Sequence, residues 1–149
     1  MRRTFITAST WTAFIFAVYM FLGFRPAPPQ TIGPGEVCFR CRHVITNARL
    51  AAEIMDRNLP TKYRTAGCMA AYVATHPSDD SRYYVTDFAS GGLIEAERAF
   101  FVPVVINATT GERDYRAYVS RGMADVAAQV FGAQAVRWSA VVERARRQV

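Results

Sequence analysis

Hydrophobic and polar positions follow three different patterns along this chain. Phe5 to Phe24 is a run of 20 residues without a charge, flanked by Arg2-Arg3 and Arg25. At ~1.5 Å per residue a helix of that length reaches about 30 Å, the thickness of a hydrocarbon core. The run predicts a single transmembrane helix within residues 1–25. Pro26 to Gly35 then holds four prolines and two glycines, which cannot continue a helix and predict an extended spacer over 26–36. From Val37 onward, short apolar stretches alternate with turn residues, the pattern of a compact domain over 37–149.

Within that domain the same order of elements occurs twice. Ala51–Arg57, a turn at Asn58-Leu59-Pro60 and Lys62–Thr65 predict a hairpin; Gly67–Thr75 predicts a helix halted by Pro77, and Arg82–Phe88 a strand. The second pass predicts strands over Phe101–Asn107 and Tyr115–Val119 and a helix over Arg121–Val130 stopped by Gly132. Ala135–Trp138 follows as a closing strand and Ser139–Val149 as a basic terminal helix. Tyr63-Arg64 followed by Gly67-x-Met69-Ala70 recurs as Tyr115-Arg116 followed by Gly122-Met123-Ala124, an offset of 52 to 55 residues. The expected fold class is α+β, two ββαβ units preceded by one transmembrane helix.

Charge narrows the partners. The net charge is +6, but from Pro26 onward 15 basic and 12 acidic residues leave +3, with no basic run before the C-terminus. Nucleic-acid binding would need a patch that neutralises several phosphates, so it is not expected. No Ser-His-Asp arrangement, paired-carboxylate motif or phosphate loop stands out, and the chain is not expected to be an enzyme. Asp87, Glu95 and Glu97 read as solvated or turn residues.

The candidate chemistry is sulfur. All three cysteines lie between Cys38 and Cys68. Cys38-Phe-Arg-Cys41 lets two sulfurs converge on one ion or bond to each other, so a metal clasp, a redox pair and a disulfide all fit the spacing. Cys68 opens a helix, where exposed backbone N–H groups would favour its thiolate; burial as an apolar side chain is the alternative. With His43 the three thiols would make a zinc site of three cysteines and one histidine, whereas thiolates with Met69 suit Cu(I) better. The expected metal residues are therefore Cys38, Cys41, Cys68, His43 and Met69, with Cu(I), Zn(II) or no metal as the outcomes. His76 reads as a surface residue at a helix end, and Met55 and Met123 as core fillers.

Taken together, Cys38-Phe-Arg-Cys41, Ala51-Ala52-Glu53-Ile54, Tyr63, Gly67-Cys68-Met69 with Tyr72, and Tyr83-Tyr84-Val85-Thr86-Asp87 resemble the NosL-like family of nitrous-oxide reductase accessory proteins. The likeness covers roughly Val37 to Trp138. It implies an exported, copper-handling domain. The family pattern is Cys-x-x-Cys-Gly-Met; Arg42-His43 stands here in place of Gly-Met, and Thr109-Thr110-Gly111-Glu112 replaces an expected Met-Gly segment. The alkylmercury lyases, distantly similar in fold, imply an enzymatic alternative that needs a carboxylate beside the thiols, and none is evident.

The N-terminus admits two readings. Arg2-Arg3-Thr-Phe-Ile has the outline of a twin-arginine signal, but Phe24-Arg25-Pro26-Ala27-Pro28-Pro29 offers no small-residue cleavage register and there is no lipobox cysteine. An uncleaved anchor is the expectation. Arg2-Arg3 would lie on the cytoplasmic side of the inner membrane and the domain in the periplasm. The expected function is a non-enzymatic accessory subunit packed against a larger membrane electron-transfer complex, respiratory or photosynthetic. The alternative is a working Cu(I) chaperone that delivers copper to an acceptor protein.

Overall fold

The computed structural model describes residues 27–33 and 35–148. The predicted anchor lies outside the described residues; among those described, no helix is long and apolar enough to cross a membrane.

The first unit keeps the predicted order of hairpin, helix and strand, but Leu59 and Pro60, expected in the turn, already pair in the second strand. Strand β1 (Ala52–Asp56) turns through Arg57 and Asn58, with φ of 44° and 68°, into β2 (Leu59–Tyr63). Two left-handed residues in a two-residue loop match the twist of antiparallel strands. Helix α1 (Ala66–Thr75) follows, and β3 (Ser81–Thr86) returns antiparallel to β1. A three-residue strand not anticipated from the sequence, β4 (Leu93–Glu95), pairs with β3 and completes a sheet of order β2-β1-β3-β4.

The second unit is incomplete as a sheet. Strands β5 (Phe100–Asn107) and β6 (Glu112–Tyr118) form a two-stranded ribbon, and helix α2 spans Arg121–Val130 as predicted. The expected closing strand over 135–138 is reduced to one bridge, Val136 against Phe101, because Trp138 instead begins helix α3 (Trp138–Arg146). Trp138 is buried against Phe101 and Tyr83, with ring centroids 5.6 and 6.1 Å away. Burying that large ring fixes the start of α3 at the point where a strand would have continued.

One face of the four-stranded sheet carries Ala52, Ile54, Tyr63 and Val85 into a core with Met69, Ala70 and Val73 of α1 and Trp138, Val141 and Ala145 of α3. Helix α1 is thus held between sheet and C-terminal helix. Residues 27–33, read from the sequence as a spacer, instead lie as a strap on the domain. The Ala27 amide donates to Asn58 Oδ1 (3.0 Å), the Gln30 amide to Glu53 Oε1 (2.9 Å), and Arg82 Nη2 to the Ala27 carbonyl (3.3 Å). Ile32 is buried with Ile45 and Ala51. Prolines set the extended backbone, but polar partners and one apolar anchor hold it down.

The two units are joined through Asp87, which is buried rather than solvated. Its Oδ1 accepts from the Val119 amide at 3.0 Å, and Oδ2 accepts from the Ser90 amide and hydroxyl at 2.8 and 2.6 Å. Burial pushes its pKa up, but those hydrogen bonds outweigh it and hold the carboxyl below the usual range.

Candidate metal centre

The two N-terminal thiols are presented by a tight knuckle. Val37 bridges to Val44, the Ile45 amide donates to the Glu36 carbonyl (2.7 Å), and the Cys38 amide donates to the His43 carbonyl (2.9 Å). The Arg42 amide closes the turn on the Cys38 carbonyl (3.0 Å), and Arg42 adopts φ of 63° to do so. That left-handed conformation favours glycine, so Arg42 holds it at a conformational cost. Phe39 donates its amide to the Lys62 carbonyl, fixing the knuckle to the edge strand β2.

Helix α1 supplies the third thiol. Thr65 is its N-cap, with Oγ1 accepting from the Cys68 amide at 3.1 Å. Cys38, Cys41 and Cys68 come together with all three sulfurs within 4.8 Å of one another, Cys38 and Cys68 at 3.5 Å, and all three are free thiols. A soft ion about 2.3 Å from each of three sulfurs in a plane places those sulfurs about 4.0 Å apart. The observed spacings bracket that value, so the residues present fit a thiolate-bound metal.

His43 does not join them. It is exposed, and among the described residues no histidine or carboxylate enters the three-sulfur group. Met69 is fully buried in the core cluster that also contains Cys38. His76, at the other end of α1, stacks on Tyr72 with centroids 4.4 Å apart and is accounted for by that contact.

The sulfurs differ in acidity. Burial pushes the Cys38 thiol up, but the amides of Cys41 and Arg64 and the neighbouring Cys41 and Cys68 thiols together hold it below its ordinary value. Cys68 is pushed up to about 12, first by burial and then by Cys38 and Cys41 beside it. Burial and the two neighbouring sulfurs thus outweigh the helix-start argument for an acidic Cys68, and the amides at that helix start are taken by other acceptors, Cys68 N by Thr65 Oγ1 and Gly67 N by Asp114 Oδ1 (2.8 Å).

Asp114 is the residue that sequence reasoning missed. It reaches the start of α1 from β6, where a Cβ on Gly67 would lie 2.7 Å from its Oδ2. Its carboxyl is pushed up by burial, against hydrogen bonds from Thr65, Gly67 and Tyr115. The one available signal was Gly67, a glycine inside a helix without a positive φ, which marks a close approach. A carboxylate therefore does border the thiols.

Cys41, Cys68 and Asp114 line a cleft of about 540 Å³ between the knuckle, α1, β6 and α3. The Arg64–Glu112 ion pair separates it from a cavity of about 420 Å³ lined by Asn47, Leu50 and Ile106, which holds no thiol. Behind the cysteines, outside the cleft lining, lies an aromatic cluster: Tyr63, fully buried, packs between Phe39 and Tyr72 at 6.2 and 5.7 Å. No family model matches this chain, and a search of curated proteins finds no significant match.

Proposed function

We propose that this chain is a carrier of Cu(I), held at the periplasmic face of a membrane by the uncharged run Phe5–Phe24 and acting without catalysing a reaction on its cargo. The observation that carries the reading is the convergence of Cys38, Cys41 and Cys68 within 4.8 Å at the side of an open cleft. Thiolates are soft donors, and a three-donor set suits Cu(I), whereas structural zinc almost always takes four protein ligands. Among the described residues no histidine or carboxylate joins the three-sulfur group. The NosL-like pattern of the sequence supports the same cargo.

The decisive experiment is competition for Cu(I) between the reduced, detergent-solubilised protein and a chromophoric Cu(I) chelator under anaerobic conditions, with Zn(II) titrated in parallel. One Cu(I) withdrawn per chain, undisturbed by equimolar Zn(II), supports the carrier. Zinc bound in preference, or no copper withdrawn, contradicts it.

A second reading, the accessory subunit of a membrane electron-transfer complex, rests on a different surface. Met123, Val126 and Val130 of α2 are 48%, 64% and 75% exposed and lie on one side of the helix, with Phe131 beside them. An apolar helix face left open to solvent favours a docking role. That reading expects stoichiometric co-purification with an integral-membrane complex, lost in Val126→Asp/Val130→Asp; recovery only as a free monomer counts against it.

A further inference from the structure

The cleft beside the thiols is far larger than a bare ion requires. A single water-sized occupant takes about 30 Å³, whereas the space bordering Cys41 and Cys68 is about 540 Å³. Its lining is cationic on balance, four arginines against Glu112, which pairs with Arg64, and Asp114. Arg40 on the knuckle, Arg113 on β6 and Arg144 on α3 all line it and are exposed, and among the described residues none of the three has a carboxylate within 4.0 Å. Elsewhere the arginines of this half are engaged: Arg121 with Asp125, Arg146 and Arg147 with Glu143, Arg116 and Arg137 over aromatic rings. Three unpaired guanidinium groups drawn from three separate elements thus converge around the cavity wall that carries two of the thiols.

Resting on the Cu(I) reading, we propose that the cleft receives the metal as a complex with an anionic, carboxylate-bearing low-molecular-weight thiol, which Arg40, Arg113 and Arg144 seat over Cys41 and Cys68. Guanidinium groups match carboxylates in a planar, two-point geometry and remain charged at every physiological pH. The volume accommodates a small peptide, and the two thiols at the wall are the first sulfurs that the incoming metal meets.

The transfer is ligand exchange without redox change. A bis-thiolate Cu(I) complex loses both carrier sulfurs as three Cu–S bonds form to Cys38, Cys41 and Cys68. Of the three protons released by the protein thiols, two go to the departing carrier thiolates and one to water, and copper stays Cu(I) throughout.

Stopped-flow transfer to the full-length reduced protein tests this, with Cu(I) presented either as its glutathione complex, which is anionic, or as its cysteamine complex, which is cationic. The quantity read is the ratio of the two rates. A cleft whose net charge is of one sign raises the rate for the opposite sign by about 10-fold or more; with Glu112 paired to Arg64, the three free arginines outweigh Asp114, so Arg40→Ser/Arg113→Ser/Arg144→Ser is expected to lower the glutathione-to-cysteamine ratio by about tenfold. The same fall is expected for wild type as salt screens the rim. Arg146→Ser/Arg147→Ser, equally exposed but outside that rim on the cleft, keeps the wild-type ratio. A triple variant with the wild-type ratio overturns the proposal while leaving copper binding intact; a protein that takes no Cu(I) from the chelator overturns the carrier reading and this one with it.

Discussion

The two units of this domain begin their helices in the same way and use them differently. Thr65 caps α1 by accepting from the Cys68 amide, and Ser120 caps α2 by accepting from the Met123 amide. Cys68 and Met123 therefore occupy the same third position of their helices, 55 residues apart, with Gly67 matching Gly122 and the fully buried Met69 matching the fully buried Ala124. The sequence comparison paired Met69 with Met123, one residue out of register. The correct pairing teaches that the donor at the helix start is a partly buried thiol beside the cleft in one unit and a half-exposed thioether in the other.

What covers the first helix and not the second is α3. Its Val141 and Ala145 close over α1, which is apolar on nearly every side, while α2 keeps an outward face of Met123, Val126 and Val130. Charge divides in the same way. Residues 26–99 carry equal numbers of basic and acidic side chains, whereas 100–149 carry seven basic and four acidic. The first unit holds the candidate cargo site, and the second contributes Asp114 to its wall and an open surface on its far side.

The largest effect that separates the units is on metal binding. Cys68→Ser should lower Cu(I) affinity by more than the roughly 10–100-fold that follows from losing a hydrogen-bond partner of a ligand, while Met123→Ser leaves it unchanged; chelator competition reads both. An equal loss in the two variants would erase the distinction drawn here.

Next comes the paired glycine test. Gly67→Ala puts a methyl group 2.7 Å from Asp114 Oδ2, whereas at Gly122 the nearest atom is Ser120 Oγ at 3.8 Å. Overpacking of this kind costs about 1–3 kcal/mol, and Ala in place of a helical Gly gains about 1 kcal/mol where there is room. Chemical denaturation should therefore show Gly67→Ala destabilised and Gly122→Ala stabilised, opposite signs at equivalent positions.

The joint between the units responds to pH. Asp87 has a folded-state pKa below its unfolded value, so its contribution is present above the unfolded pKa and is lost as pH falls through the folded one. Asp87→Ala leaves the Val119 and Ser90 amides without their partner and should cost about 1–3 kcal/mol at neutral pH. The cost should shrink toward acid, where wild type loses the same bonds. A pH-independent difference would contradict the account.

Glu53 behaves in the opposite sense. It is fully buried in β1, its Oε2 has no partner among the described residues, and burial pushes its pKa up. Its stabilising contribution is therefore complete below the unfolded pKa and is lost as pH rises through the folded one. Glu53→Gln should flatten the acid side of the stability profile while the Gln30 amide keeps its acceptor. The smallest effect is at the knuckle, where Arg42→Gly removes a left-handed side chain and should stabilise by about 1 kcal/mol with no loss of copper.

Much of this was legible in the sequence because local chemistry decides it. Asn58 in the turn, Pro77 after α1 and Gly132 after α2 bounded their elements, and the spacing of Cys38 and Cys41 announced a convergent pair. The remainder depends on contacts between distant segments. Leu93–Glu95 is too short to show a period, yet it pairs because β3 offers it an open edge. The 27–33 strap has linker composition, and contacts with distant residues such as Glu53, Asn58 and Arg82 hold it. Asp114 sits 46 residues from Cys68 in an ordinary strand pattern. His43 is adjacent to the motif in sequence but exposed and outside the three-sulfur group.

The central claim is that three sulfurs, one of them from α1, share one Cu(I). X-ray absorption at the copper edge of the reduced, singly loaded protein tests it directly. Three sulfur neighbours at about 2.3 Å, falling to two in Cys68→Ser, is the predicted result. A two-sulfur site identical in wild type and Cys68→Ser, or nitrogen neighbours from His43, would contradict it.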